Sequence, residues 1–349
     1  MGAIAACSSS SPGQKPADGG GADGPTIMPF AAAPLGTATE IPQTAYKFIS
    51  LEGPYWVASG NYLLFSDVVE KNAMGALIYK YDPATNMFSI YPYPTMAPAS
   101  TNGLGMDSMG RLVATERVNH RVTRVEGAML KELVAAVGGK NLDAPNDVVV
   151  DSKDNIYFTD THWGSAYPDP MLIPTGAYRI AALDGAVTKL WEGGPDPLKN
   201  SINGIALSKD EKTLYLGDDT ANQILSIPLT DGLVPAGTMS KVFASKTSVP
   251  GGVGLQVPDG INVDDDGKVY VSINHHDTNC IAVFGADGSY VGRYDVPVGI
   301  DKDPVTGLPA DPGGKGPSNI TFGGADRKTM YITTLHAIYK VTALTAGKP

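Results

Sequence analysis

At 349 residues, with 42% hydrophobic and 18% charged positions, 41 glycines and 27 prolines, the chain suits one large unit of many short strands and tight turns and argues against a long-helix protein. A net charge of −10 without any clustered run of lysine and arginine argues against nucleic acid, whose phosphates call for a basic face that releases counterions. Two cysteines, Cys7 and Cys280, are too few for a disulfide framework and lack zinc-type spacing, and Cys280 reads as a small buried apolar residue.

In chain order the first segment reads as a leader and a tether. Ile4-Ala5-Ala6-Cys7 matches the small-residue pattern before a lipid-modified cysteine in bacterial lipoproteins, although Met1 to Ala6 is short for a complete apolar signal. The Ser-, Gly-, Pro- and Asp-rich stretch from Ser8 to Pro25 cannot bury enough apolar area to offset its ordering entropy. Residues 1–25 are therefore expected to be a remnant signal and flexible tether with a lipid anchor at Cys7, on an exported protein that is periplasmic or membrane-tethered. No apolar run near 20 residues follows. Residues 26–349 form the expected folded domain.

That domain repeats one pattern: an Asn/Asp-containing turn, a short apolar run, an acidic turn, then an alternating aromatic strand. The first copy runs from Glu52-Gly53-Pro54-Tyr55-Trp56 to Tyr62-Leu63-Leu64-Phe65-Ser66-Asp67. Asn102-Gly103-Leu104 opens the second, Pro145-Asn146-Asp147 the third, Asn203-Gly204-Ile205 the fourth, Pro258-Asp259-Gly260 the fifth and Ser318-Asn319-Ile320 the sixth. The anchors Asn102, Asn146, Asn203, Asp259 and Asn319 are separated by 44, 57, 56 and 60 residues, a period suited to four antiparallel strands per copy. The expected fold class is all-β: a six-bladed β-propeller. An open solenoid would have shorter and more regular periods. The Pro- and Gly-rich insertions, Trp163 to Thr175 and Val298 to Gly316, are expected as loops over one face of the disc.

In such a ring the innermost strand of each blade lines the axial channel, so the turns that precede these strands converge at one mouth. Glu52, Asn146, Asn203 and Asp259 place two carboxylates and two amides there, hard oxygen donors matched to a single Ca²⁺ or Mg²⁺. Asn-Gly and Asp-Gly are also the commonest turn formers and need no metal. Recurrence at blade frequency, with Glu52 at the equivalent entrance, is what carries the metal reading. Asn102 is an anchor of the same kind, either a turn former or a substrate contact. His162 and Trp163 follow the inner hairpin of the third copy and are candidates for a proton donor and a stacking wall. His275 and His276 hold the corresponding place in the fifth copy, and adjacent strand residues point to opposite faces, so one of them at most faces the pocket.

Several of these motifs, in order, resemble the regucalcin/gluconolactonase family: Glu52-Gly53-Pro54, Ala144-Pro145-Asn146-Asp147-Val148 with Ile156-Tyr157-Phe158-Thr159-Asp160, Asn203-Gly204-Ile205-Ala206, Pro258-Asp259-Gly260-Ile261 and Ser318-Asn319-Ile320-Thr321-Phe322-Gly323-Gly324. The resemblance covers residues 45–343 and implies a six-bladed propeller with one catalytic divalent cation, usually calcium and in some members zinc, that hydrolyses lactones. It implies metal ligands at Glu52, Asn203 and Asp259, an amide touching metal or substrate at Asn146, and a general base at Asp259. Two departures bear on the substrate. Thr159-Asp160-Thr161-His162-Trp163 replaces a Pro-rich aromatic run, and Glu116-Arg117-Val118-Asn119 replaces a frequent Glu-His-Gly-Asn, which makes Arg117 a candidate substrate contact. The expected partner is a small lactone or ester, with no obligate protein partner. A non-catalytic tethered binding propeller with a structural calcium, and a phosphotriesterase-like hydrolase, are the alternatives.

Overall fold

The computed structural model describes residues 33–68, 77–94, 100–162, 171–193, 201–249, 255, 257–273, 279–298 and 316–349. Cys7, the tether, Trp163, His275, His276 and most of both long insertions lie outside the described residues. The six repeats form six sheets, each antiparallel in its four main strands, with a small two-stranded ribbon, Ala136–Val137 and Lys140–Asn141, beside them. The inner strands are Leu51–Val57, Thr101–Met106, Ala144–Val150, Ile202–Leu207, Pro258–Val263 and Pro317–Gly323. Each packs on the next and the last packs on the first, which closes the ring. The one helical segment among the described residues is the short 3₁₀ turn Lys246–Ser248, and no helix is long and apolar enough to cross a membrane.

Closure is secured from the N-terminal side. Thr39–Glu40 pairs with Ile338–Thr342 as the outermost strand of blade six, eleven positions before the chain enters blade one at Leu51. Gly36–Thr37 adds a parallel strand to the outer edge of blade five. Sequence-distant ends are thereby held in shared sheets, and the ring has no free first or last blade.

The aromatic alternation seen in the sequence now has its reason. Successive residues of a strand face opposite sides of the sheet, and each blade is covered on both sides. Leu63 and Phe65 pack toward blade six, whereas Leu64 packs toward blade two. The buried apolar residues form six clusters, one at each blade interface. Cys280 is buried in the cluster between blades four and five, as its composition-level reading requires, and burial pushes its thiol up to about 12.

The acidic turns repeat with equal regularity. Each ends in a left-handed residue: Asn61, Gly110, Asp154, Glu211, Gly267 and Arg327, at φ from 52° to 82°. Asp107, Asp151 and Asp264 hold three of these turns by accepting main-chain N–H bonds on Oδ1. These turns lie at the end of the channel away from the anchors.

Candidate functional site

The site begins with a defect common to all six inner strands. Their pairing with the second strand shifts register between Glu52 and Tyr55, Thr101 and Leu104, Pro145 and Val148, Ile202 and Ile205, Pro258 and Ile261, and Pro317 and Asn319. A bulge bends its strand and re-aims the side chain beside it. Here the bulges hold the sequence anchors, which explains how residues in a sheet interior turn toward one axis.

The alignment of bulges corrects the anchor of blade six. Ser318, not Asn319, corresponds to Glu52, Asn102, Asn146, Asn203 and Asp259, because Asn319 pairs with Thr333 after the shift. Asn319 falls in the following row, whose members are Gly53, Gly103, Asp147, Gly204, Gly260 and Asn319. Four glycines are needed in that row because the neighbouring blade arrives so close. A Cβ at Gly53 would overlap the carbonyl oxygen of Asn102, and one at Gly204 would overlap that of Asp259.

Hydroxyls of the second strands tie the bulges together across the seams. Ser66 bonds Thr101 Oγ1 at 3.0 Å, Thr115 donates to the carbonyl of Asn146 at 2.5 Å, Thr159 to that of Asn203 at 2.7 Å, and Ser272 to that of Ser318 at 2.7 Å. Blade four, with Gly217 at this position, has no hydroxyl to offer Asp259.

Asn102, Asn146, Asn203 and Asp259 are 3–5% exposed, and Glu52 is partly buried. The amide side chains of Asn146 and Asn203 enter no hydrogen bond among the described residues; their main-chain carbonyls do. Asn102 Oδ1 is fully enclosed and also lacks a partner. An enclosed amide oxygen without a partner, such as that of Asn102, is uncommon because it forfeits its bonds to water. Beside them, burial and then the charge of Asp147 push the Glu52 carboxyl up to about 8. Oxygen donors beside a carboxylate whose pKa stays raised despite the nearby Arg117 charge are what a hard divalent cation would complete. Among the described residues no three His, Cys, Asp or Glu side chains gather into a metal site, so amides are indispensable to any set here.

The secondary candidates divide. Arg117 is brought near enough for its charge to act on Glu52. His162 is hydrogen-bonded through its Nδ1 to Asp143 Oδ2 at 2.8 Å, with both side chains largely buried. Asp143 N donates in turn to Asp160 Oδ2 at 2.9 Å, which places His162 in a polar cluster of blade three.

Sequence reasoning passed over Asp147 and Asn319 as site residues. Asp147 is buried, its carboxyl is pushed up to about 6 by burial, and it is bonded to Asn319 Nδ2 at 3.4 Å. A cavity of about 340 Å³ extends from these two side chains to the turns at Asp107 and Asp151 at the opposite end, with Lys348 and Pro349 among its lining residues. None of the four anchors lines it. The two departures from glycine in the second row were the available signal.

The fold and the polar ring define a six-bladed propeller with an oxygen-rich site at one end of its channel. The chain belongs to the SMP-30/gluconolactonase/LRE-like family, whose model matches residues 51–307. It is 26% identical over 334 residues to a gluconolactonase of Zymomonas mobilis, covering 92% of this chain and 86% of that one. It is 26% identical to the pentonolactonase XacC of Haloferax volcanii, covering 81% and 80%. Among solved structures, a gluconolactonase of Xanthomonas campestris superposes with a TM-score of 0.65 at 26% identity, covering 85% and 86%. A calcium-binding regucalcin of Agrobacterium tumefaciens gives the same score at 16% identity, covering 91% and 97%, a likeness of fold.

Proposed function

We propose that this protein is a metal-dependent lactonase that opens a sugar lactone to its hydroxy acid. The observation that supports this reading is that Glu52, Asn146, Asn203 and Asp259 sit at equivalent bulges of their inner strands, beside an Asn102 Oδ1 that is enclosed and without a partner. Those four residues would hold one divalent cation, calcium by the hardness of the donors, with magnesium or zinc as substitutes. When bound, the ion would supply Lewis-acid polarisation of the lactone carbonyl.

The chain's own part is positioning and proton transfer. Asp259 takes a proton from water as the water oxygen bonds to the carbonyl carbon, and delivers it to the ring oxygen as the ester bond breaks. Water is consumed and a carboxylic acid and an alcohol are released, so the step balances. Arg117, whose charge already reaches Glu52, is the candidate to bind the sugar hydroxyls. The Zymomonas and Haloferax relatives, named for gluconolactone and pentonolactone, favour a sugar lactone over an aliphatic lactone or a phosphotriester.

The test is hydrolysis of δ-gluconolactone and a pentonolactone, with chelator and then with added Ca²⁺. Turnover lost on chelation and regained with calcium supports the reading. If no lactone is hydrolysed and chelation only lowers the melting temperature, the ion is structural and the protein is a binding propeller.

A further inference from the structure

We propose that Asp147 is the positioning residue of the ring: its carboxylate joins three blades beneath the four ligands and fixes the bulges that aim them. The proposal rests on the metal-site reading above. Asp147 Oδ1 accepts from Val148 N at 2.9 Å, and Oδ2 accepts from Ile205 N of blade four at 3.3 Å and from Asn319 Nδ2 of blade six at 3.4 Å. Asn319 is itself held, with Oδ1 accepting from Ile320 N at 2.8 Å and its N–H donating to Thr333 Oγ1 at 3.1 Å.

Blades three and six stand opposite each other in a ring of six, so the Asp147–Asn319 pair is a rung across the channel. It separates the anchor ring from the cavity that opens below it. The glycines at the other second-row positions make its room, since a Cβ at Gly260 would overlap the Asn319 side chain and one at Gly103 would come within 2.7 Å of Asp147 Cα.

Each of the tied bulges carries a candidate ligand or its equivalent. Asn146 precedes Asp147, Asn203 lies two residues before Ile205, and Ser318 precedes Asn319. Asp147 also lies close enough to Glu52 of blade one to act on its charge. A carboxylate is required because both oxygens accept. An amide at 147 would turn its NH₂ against Val148 N–H, or against the donors from Ile205 and Asn319.

Calcium titration calorimetry of the full chain tests this, with lactone kinetics alongside. Asn319→Ala keeps the charge of Asp147 and removes the rung. It is expected to weaken Ca²⁺ binding roughly ten-fold or more, the usual cost of losing a group that orients metal ligands, and to lower kcat more than it raises KM. If that variant does not fold, Asn319→Ser removes the reach and keeps a polar side chain. The double variant Asp147→Asn/Asn319→Asp restores the rung with donor and acceptor exchanged, leaving one conflict at Ile205 N–H, and is expected to bind calcium more tightly than Asp147→Asn alone. Wild-type calcium affinity in Asn319→Ala, with a lower melting temperature only, would overturn the positioning role and leave the metal reading standing. A wild-type protein that takes up no calcium would overturn the metal reading and this role with it.

Discussion

Thr159 Oγ1 on the second strand of blade three donates to the main-chain carbonyl of Asn203 on blade four at 2.7 Å and accepts from the N–H of Asp147 at 3.1 Å. One hydroxyl therefore holds the bulges of two adjacent blades. Thr159→Val keeps the shape and leaves a buried N–H and a buried C=O without partners. Each such group costs about 1–3 kcal/mol, so a loss of roughly 2 kcal/mol or more is expected in urea unfolding, with reduced lactone turnover. Wild-type stability would show that the seam does not depend on this bond.

Asp259→Asn keeps an oxygen for the ion and removes the proton acceptor. Turnover is expected to fall by about 10²–10⁴, the range for losing a positioned general base, with an unchanged circular dichroism spectrum. Full activity in this variant would remove Asp259 from the reaction.

Calcium binding should appear as stability as well as activity. An ion that binds only the folded chain adds about 2.7 kcal/mol at a hundred times its Kd, so the melting temperature is expected to rise with added Ca²⁺ and fall with chelator. Glu52→Gln removes one of the two carboxylates and is expected to shrink that rise. An equal rise in both proteins would place the ion elsewhere.

Two glycines separate the site from the fold. Gly204→Ala drives a Cβ into the Asp259 carbonyl and is expected to cost both stability and turnover. Gly110→Ala meets nothing within 4 Å, but its φ of +74° is strained for alanine. It is expected to cost about 1 kcal/mol and leave kcat/KM unchanged. Parallel kinetics and unfolding curves decide between the two patterns.

Burial raises the Cys280 thiol to about 12, so little thiolate is present at neutral pH. In a Cys7→Ser background, Ellman's reagent is expected to label Cys280 only after unfolding. Prompt labelling of the native protein would show that the seam between blades four and five opens readily.

The blade count and the strand alternation were legible in the sequence because each is a local pattern repeated at a fixed period. Glu52, Asn146, Asn203 and Asp259 could be named because their turns precede apolar runs at blade spacing. Asn319 was misassigned as an anchor for the same reason: Ser318-Asn319-Ile320 reads like Asn203-Gly204-Ile205 when asparagine is the guide, and only the strand pairing places Ser318 in the ring. Trp163 and His275, expected near the pocket, lie outside the described residues.

By itself, then, the sequence determined that the chain is a six-bladed propeller and which oxygen donors stand at the entrances of its inner strands, because hydrophobic period and turn chemistry act between near neighbours. Tertiary structure alone decided that Asp147 faces Asn319, 172 residues away, and that His162 is engaged with Asp143. These pairings arise only when the ring closes and brings opposite or adjacent turns within hydrogen-bond reach. No local pattern encodes that distance.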